Sequence, residues 1–341
     1  MITGVAFSAL CADFNWTELN QKVVQLFKSG QPKKAFELGN QYVEQIKKEF
    51  KTSKIVTTDE ITFLVNLGII TKQAKEYKAA RDILDLAVEC KTKIASPNDP
   101  LFVNIYKTLG DIHLELKDFK SGEESYMQAL KVKETNFGSD HAEMVPLYLG
   151  LADFYQGFGK NDLASDTFEK ALKLSKVKNG EEDNKTADVY FRLGEFYFNQ
   201  KIYDKAEKAF LRAFSIYDKN KGSGKIALVY DYLGFLSRIK GNLQEAESYF
   251  RIAAKSKEVK PGKNSIEYAN SLNNLGLIYS MQKNKEAEGI LKESLKICEN
   301  LRGKNSPTLI PILSNLSDYY SENGNKAEAE LYLNRIKTIK S

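Results

Sequence analysis

The sequence predicts an all-α protein, a solenoid of about eight stacked helix pairs. Three observations predict it. First, a Leu-Gly step recurs as Leu67-Gly68, Leu109-Gly110, Leu193-Gly194, Leu233-Gly234 and Leu275-Gly276, with Leu151-Ala152 and Leu316-Ser317 filling the gaps. The small residue thus stands at 68, 110, 152, 194, 234, 276 and 317, at intervals of 42, 42, 42, 40, 42 and 41 residues. Second, a further set keeps that register. Twelve residues on comes Ala80, Gly122, Ala164, Ala206, Ala246 or Ala329, with Ala287 one residue early, and four beyond it a large residue. Third, short polar turns holding Lys, Asn and Gly separate the two sets. Offsets of three and four mark one face of a helix. A two-helix unit repeated at a fixed period cannot bury its apolar face alone, so neighbours must stack.

The units follow in order. The first, near 16–49, is the weakest and centres on Val23. The second, 61–94, joins Leu67-Gly68 to Ala80, Leu84 and Ala87. The third, 103–136, opens after Asp99-Pro100, a capping residue before a proline whose missing N–H costs little in a first turn. The fourth, 145–178, has Pro146 near its start, the turn Gly159-Lys160-Asn161, and then Ala164, Phe168 and Ala171. Connectors at 179–184 and 220–224 flank the fifth, 187–220, which carries Ala206, Phe210 and Ala213. The sixth, 227–260, turns at Gly241-Asn242 into Ala246, Phe250 and Ala253, and the seventh, 269–301, leads to Ala287 and Leu291. The eighth, 310–341, has Ser306-Pro307 and Pro311 at its start, a turn at Gly324-Asn325, and Ala329 with Leu333 as its large residue. Its last helix carries Leu331, Tyr332, Ile336 and Ile339 with no further helix to cover them, so it should fray or pack on another chain.

Composition agrees. The 341 residues are 42% hydrophobic and 28% charged, with 7 prolines and 21 glycines, which excludes disordered and collagen-like classes. A net charge of +5 is too small and too dispersed to argue for nucleic acid. Two histidines and three cysteines leave little for metal or nucleophile chemistry, and no zinc spacing, Gly-x-Gly-x-x-Gly or phosphate loop occurs. No cofactor is expected. His113 falls on the core side of a helix, and His141, in Ser139-Asp140-His141-Ala142, suits a capping or loop role. No apolar run reaches the ~18 residues of a membrane span. Residues 1–12 read as a truncated secretory signal without its basic start, which favours export over a cytoplasmic location and leaves 13–341 as one solenoid. Cys90 and Cys298 make no disulfide framework, and the sequons at Asn15, Asn184 and Asn315 read as chance in an Asn-rich chain.

The pattern Leu193, Gly194, Tyr197, Ala206, Phe210 and Ala213 resembles the tetratricopeptide repeat family. The long unit, with Leu272-Asn273-Asn274-Leu275-Gly276-Leu277-Ile278-Tyr279, is similar to the kinesin-light-chain subtype, although that protein's coiled-coil heptads have no counterpart here. The resemblance covers residues 16–341 and implies a right-handed α-solenoid. It implies a non-enzymatic scaffold that binds protein or peptide in a concave groove. The alternative is a peptide- or ligand-responsive sensor that regulates an effector. An enzyme is a third reading, disfavoured by the dearth of His and Cys and the lack of a leftover domain.

In that family first-helix positions 2, 5, 9, 12 and 13 line the groove. Here they hold eight acids (Asp111, Glu115, Asp153, Asp188, Glu195, Asp231, Asp318 and Glu322) against four bases (Lys28, Lys72, Lys107 and Arg238). Phe191, Phe198, Phe235, Leu149 and Leu228 sit among them, and Arg192 adjoins Glu195's face. Asn270 and Asn273, with Asn274 and Asn315 at the adjoining position, would pair with the backbone of an extended segment. The expected partner is therefore a polypeptide segment with basic and apolar residues, and an acidic groove opposes nucleic acid. No three consecutive units supply the Lys/Asn/Asn/Lys/Arg set with which some of these domains clamp a chaperone's terminal carboxylate.

Overall fold

The computed structural model describes residues 14–52, 56–220 and 225–340. The expected signal segment, residues 1–12, lies outside them. The described residues form sixteen α-helices in eight antiparallel pairs. These are α1 Trp16–Lys28 with α2 Pro32–Lys51, α3 Thr58–Gln73 with α4 Tyr77–Ile94, α5 Leu101–Glu115 with α6 Phe119–Phe137, and α7 Val145–Gly157 with α8 Asn161–Asn179. Then come α9 Asn184–Asn199 with α10 Tyr203–Lys219, α11 Ile226–Ile239 with α12 Leu243–Lys257, α13 Ile266–Met281 with α14 Ala287–Arg302, and α15 Ile310–Glu322 with α16 Lys326–Lys340. The architecture is an all-α solenoid. The described residues gather into two compact units, divided between residues 179 and 180.

Within a pair, the small residue of the first helix receives the large residue of the second. A Cβ placed on Gly110 would lie 2.5 Å from the Tyr126 ring, one on Gly194 2.7 Å from Phe210, and one on Gly234 2.8 Å from Phe250. Tyr126, Phe168, Phe210 and Phe250 are almost wholly buried, as are Ala164, Ala206 and Ala246 against them. Burying one such ring contributes about 1.5–3 kcal/mol, so this seam carries much of the stability of each pair.

Start signals act as expected. The Asp99 carboxylate accepts from Leu101 N at 2.9 Å, and Pro146 and Pro311 occupy the first turns of α7 and α15. The His141 Nδ1 accepts from Glu143 N at 3.2 Å, capping a short 3-10 turn ahead of α7. His113 is buried in α5.

One register differs. In the last pair Leu333 is 46% exposed, and Tyr332 is buried in its place, stacked on Tyr320 at 5.8 Å. Ser317 is the small residue here, and its hydroxyl donates to the Ala329 carbonyl at 3.1 Å. That bond fixes α16 so that Tyr332, three residues after Ala329, faces α15. Ile336 and Ile339 pack on the same cluster as Leu309, Ile312 and Leu316, which leaves Leu331 as the exposed member of the expected bare stripe.

Candidate functional site

Among residues 180–341, the first helices α9 and α11 carry a stripe of aromatics. Phe191, Glu195 and Phe198 follow one another by four and three residues, as Tyr232, Phe235 and Arg238 do by three, so each set shares a helix face. The Tyr232 ring stacks on Phe210 at 4.6 Å and meets Phe198 edge-on at 5.3 Å. Phe235 lies 6.3 Å from Phe198 and 5.2 Å from Phe250. Phe210, Phe250 and Phe191 are buried, so Phe191 is part of the base and not of the open face. Phe198, Tyr232 and Phe235 are half-buried, Tyr232 and Phe235 resting on that base and Phe198 packing against both of them. The Tyr232 hydroxyl donates to Glu195 at 3.0 Å, and burial beside that carboxylate pushes its pKa well above the ordinary tyrosine value. Arg192 pairs with Glu195 at 3.3 Å. Arg238 is half-buried, and its Nε is sealed from solvent without a hydrogen-bond partner among the described residues.

The amides separate. The Asn315 Nδ2 donates to the Asn273 Oδ1 at 2.9 Å, joining α13 to α15, and Asn273 is buried. Asn274 is half-buried and Asn270 is exposed. The sequence reading missed that the same kind of pair occurs between Asn66 and Asn20 at 3.0 Å, whose separation of 46 residues departs from the 42-residue period. It also missed Tyr232, whose signal was an aromatic next to a groove position.

The acids are largely met from within. Asp111 accepts from Lys72 at 2.5 Å, from Lys107 at 3.2 Å and from the Tyr126 hydroxyl. Burial alone would raise its pKa, but the two lysines and the tyrosine outweigh that and hold it below the ordinary value. Asp188 accepts from Tyr217 at 2.5 Å and Lys225 at 2.7 Å. Asp231 is buried against the Lys257 ammonium and the Ser271 hydroxyl, so it presents no open carboxylate, and burial raises its pKa. Asp153 is half-buried in α7, close enough for its charge to act on Tyr126. Polar positions on a first helix thus serve the joints between repeats as well as the open face. No described helix is long and apolar enough to cross a membrane.

A tetratricopeptide repeat model matches residues 143–219, 225–288 and 280–340, and a second model of the same description matches 103–136. The fold is similar to that of RapI in its apo form, with 17% identity over 82% of this chain and 97% of that one and a TM-score of 0.59. BtubC from P. vanneervenii is 20% identical over 73% of this chain and 94% of its own, with a TM-score of 0.55. A signal transduction ATPase with a tetratricopeptide repeat sensor, from Pyrococcus horikoshii, is 15% identical over 96% of this chain, with a TM-score of 0.62, and the match spans 50% of that protein. No curated protein matches the sequence.

Proposed function

We infer the function from family membership: the chain belongs to the tetratricopeptide repeat family, in a long form with a unit of about 42 residues. We propose that it is a non-enzymatic scaffold whose first-helix face in residues 180–341 holds an extended polypeptide segment. One observation carries this reading. Phe198, Tyr232 and Phe235 form a half-exposed aromatic surface on a buried base, three residues from the half-buried Arg238. Partly exposed rings held rigid by packing are the usual anchors of a binding face, because they bury large area at little entropic cost. The half-buried Arg238 sets a cation beside the rings, and Asn270 and Asn274 extend the polar rim. The internal pairing of Asp188 and Asp231 makes the apolar anchor a stronger determinant than ligand basicity.

The test is a random peptide library panned against the full chain and against Phe198→Ser/Phe235→Ser. Peptides with a spaced apolar anchor should be enriched by the parent and lost by the variant, with unchanged helical circular dichroism. Enrichment of the same peptides by both proteins would overturn the assignment.

A further inference from the structure

Each pair of residues 180–341 is antiparallel, so the second helices end at the edge where the next first helix begins. In residues 226–340 that edge is basic. The last turns of α12, α14 and α16 carry Lys255, Arg302 and Lys340, and the connectors after α12 and α14 add Lys260, Lys263 and Lys304. The first turns of α11 and α15, at the same edge, hold no acid, and that of α13 holds Glu267. Lys263 pairs with Glu258 at 2.9 Å. Lys255, Lys260, Arg302, Lys304 and Lys340 are exposed and make no ion pair among the described residues. We propose that this edge docks on an anionic lipid surface.

Bases at helix C-termini complement the helix dipole, so the charge alone would be ordinary. Two aliphatic side chains at the same edge add an independent observation. α12 runs into a wide π-helical turn, Glu258–Gly262, which holds Val259 82% exposed beside Lys260. No other large hydrophobic side chain among the described residues is as exposed. Leu301, next to Arg302 at the end of α14, is 40% exposed. Interfacial binding to anionic lipid is set by two terms, attraction of bases to the headgroups and burial of apolar area at the acyl boundary. This edge offers both, the aliphatic tips to enter and the bases to stay with the phosphates. A single-stranded nucleic acid would need rings on which to stack its bases, and no aromatic residue stands in 255–267, 299–309 or 335–340 except the buried Tyr268 that follows them. An acidic polypeptide would answer the bases and leave Val259 without a role. The edge is separate from the face of Phe198, Tyr232 and Phe235 and does not depend on it.

The full chain is mixed with vesicles of phosphatidylcholine, alone or with phosphatidylglycerol, and bound protein is measured by co-sedimentation at low salt. It should bind the anionic vesicles and not the neutral ones. Each base near such a surface raises partitioning about fivefold, so Lys260→Ser/Lys304→Ser should weaken binding about 25-fold. Val259→Ser leaves the charge unchanged and should weaken it several-fold. All three positions are exposed, so the fold is not at stake. Lys201→Gly/Lys283→Gly removes the same charge from the turns at the opposite ends of the helices and should leave binding at the parent level. Failure to sediment with anionic vesicles, undiminished binding by Val259→Ser, or an equal loss in the Lys201/Lys283 variant would overturn the proposal. Capture by polyglutamate beads without binding to vesicles would assign the edge to an acidic polypeptide and overturn it as well.

Discussion

Two residues decide most at the smallest scale. Lys257 and Asp231 are both buried, joined to each other and to Ser271, whose hydroxyl accepts from Lys257 at 2.9 Å and donates to Asp231 at 3.1 Å. Removing one partner of such a pair strands a buried charge, which typically costs about 3–5 kcal/mol, whereas replacing both with apolar groups is often neutral. Lys257→Met is therefore expected to lower the urea midpoint sharply and Asp231→Leu/Lys257→Met to restore most of it. This pairing was not legible in the sequence. Asp231 sits at a position that lines grooves elsewhere in the family, and the lysine that neutralises it lies 26 residues away on another helix. Asp111 gives a pH prediction. Its folded carboxyl titrates below the ordinary aspartate value of 3.8, so the stability it contributes is complete above that value. That stability is lost as pH falls through the lower folded value. Urea midpoints between pH 5 and pH 2 should fall more steeply for the parent than for Asp111→Asn.

At the scale of the element, the turns and the seams between paired helices were read with different success. The Leu-Gly spacing revealed the seams because a glycine at constant offset from a large residue has few other uses inside a helix. The last pair slipped by one residue because Tyr332 and Leu333 are both apolar, and the serine hydroxyl bond that selects Tyr332 leaves no periodic trace. The turns hid a regularity. Gly30, Gly159, Gly241 and Gly324 adopt positive φ, and at the equivalent place in the other four pairs stand Lys75, Lys117, Lys201 and Lys283, with φ of 66°, 61°, 59° and 56°. Each ends its first helix the same way, the following N–H reaching back five residues, as Asn284 N does to the Tyr279 carbonyl at 2.8 Å. Lysine bears a Cβ penalty of about 1–2 kcal/mol there, partly offset by the greater unfolded freedom of glycine. Lys117→Gly and Lys201→Gly should each stabilise the fold by about 0.5 kcal/mol in urea melts. Inside helices the sign reverses with surroundings. Gly234→Ala drives a methyl into the buried Phe250 ring and should cost about 1–3 kcal/mol. Gly289→Ala, where a Cβ meets nothing within 4 Å, should gain up to about 1 kcal/mol.

The whole molecule inherits its thermodynamics from the way pairs meet. Within each of the two units a pair makes its apolar contacts within itself and with its chain neighbours, so stability approximates a sum of pair terms and nearest-neighbour terms. The polar joints follow the same rule: Tyr155 donates to Glu123 at 2.7 Å, Tyr320 to Glu288 at 2.6 Å and Gln282 to Glu247 at 3.1 Å, each linking one pair to the next. A core lesion should therefore remain local. Gly68 receives Leu84, and a Cβ there would lie 2.5 Å from that side chain, so Gly68→Val should break the α3–α4 seam. Amide hydrogen exchange followed by mass spectrometry should then speed up in peptides from 58–94 and in the adjoining repeat. Protection across 269–340 should stay at the parent level, because no contact of α13 to α16 depends on that seam. Equal acceleration along the whole chain would mean that the repeats unfold as one cooperative body, and the additive account would fail.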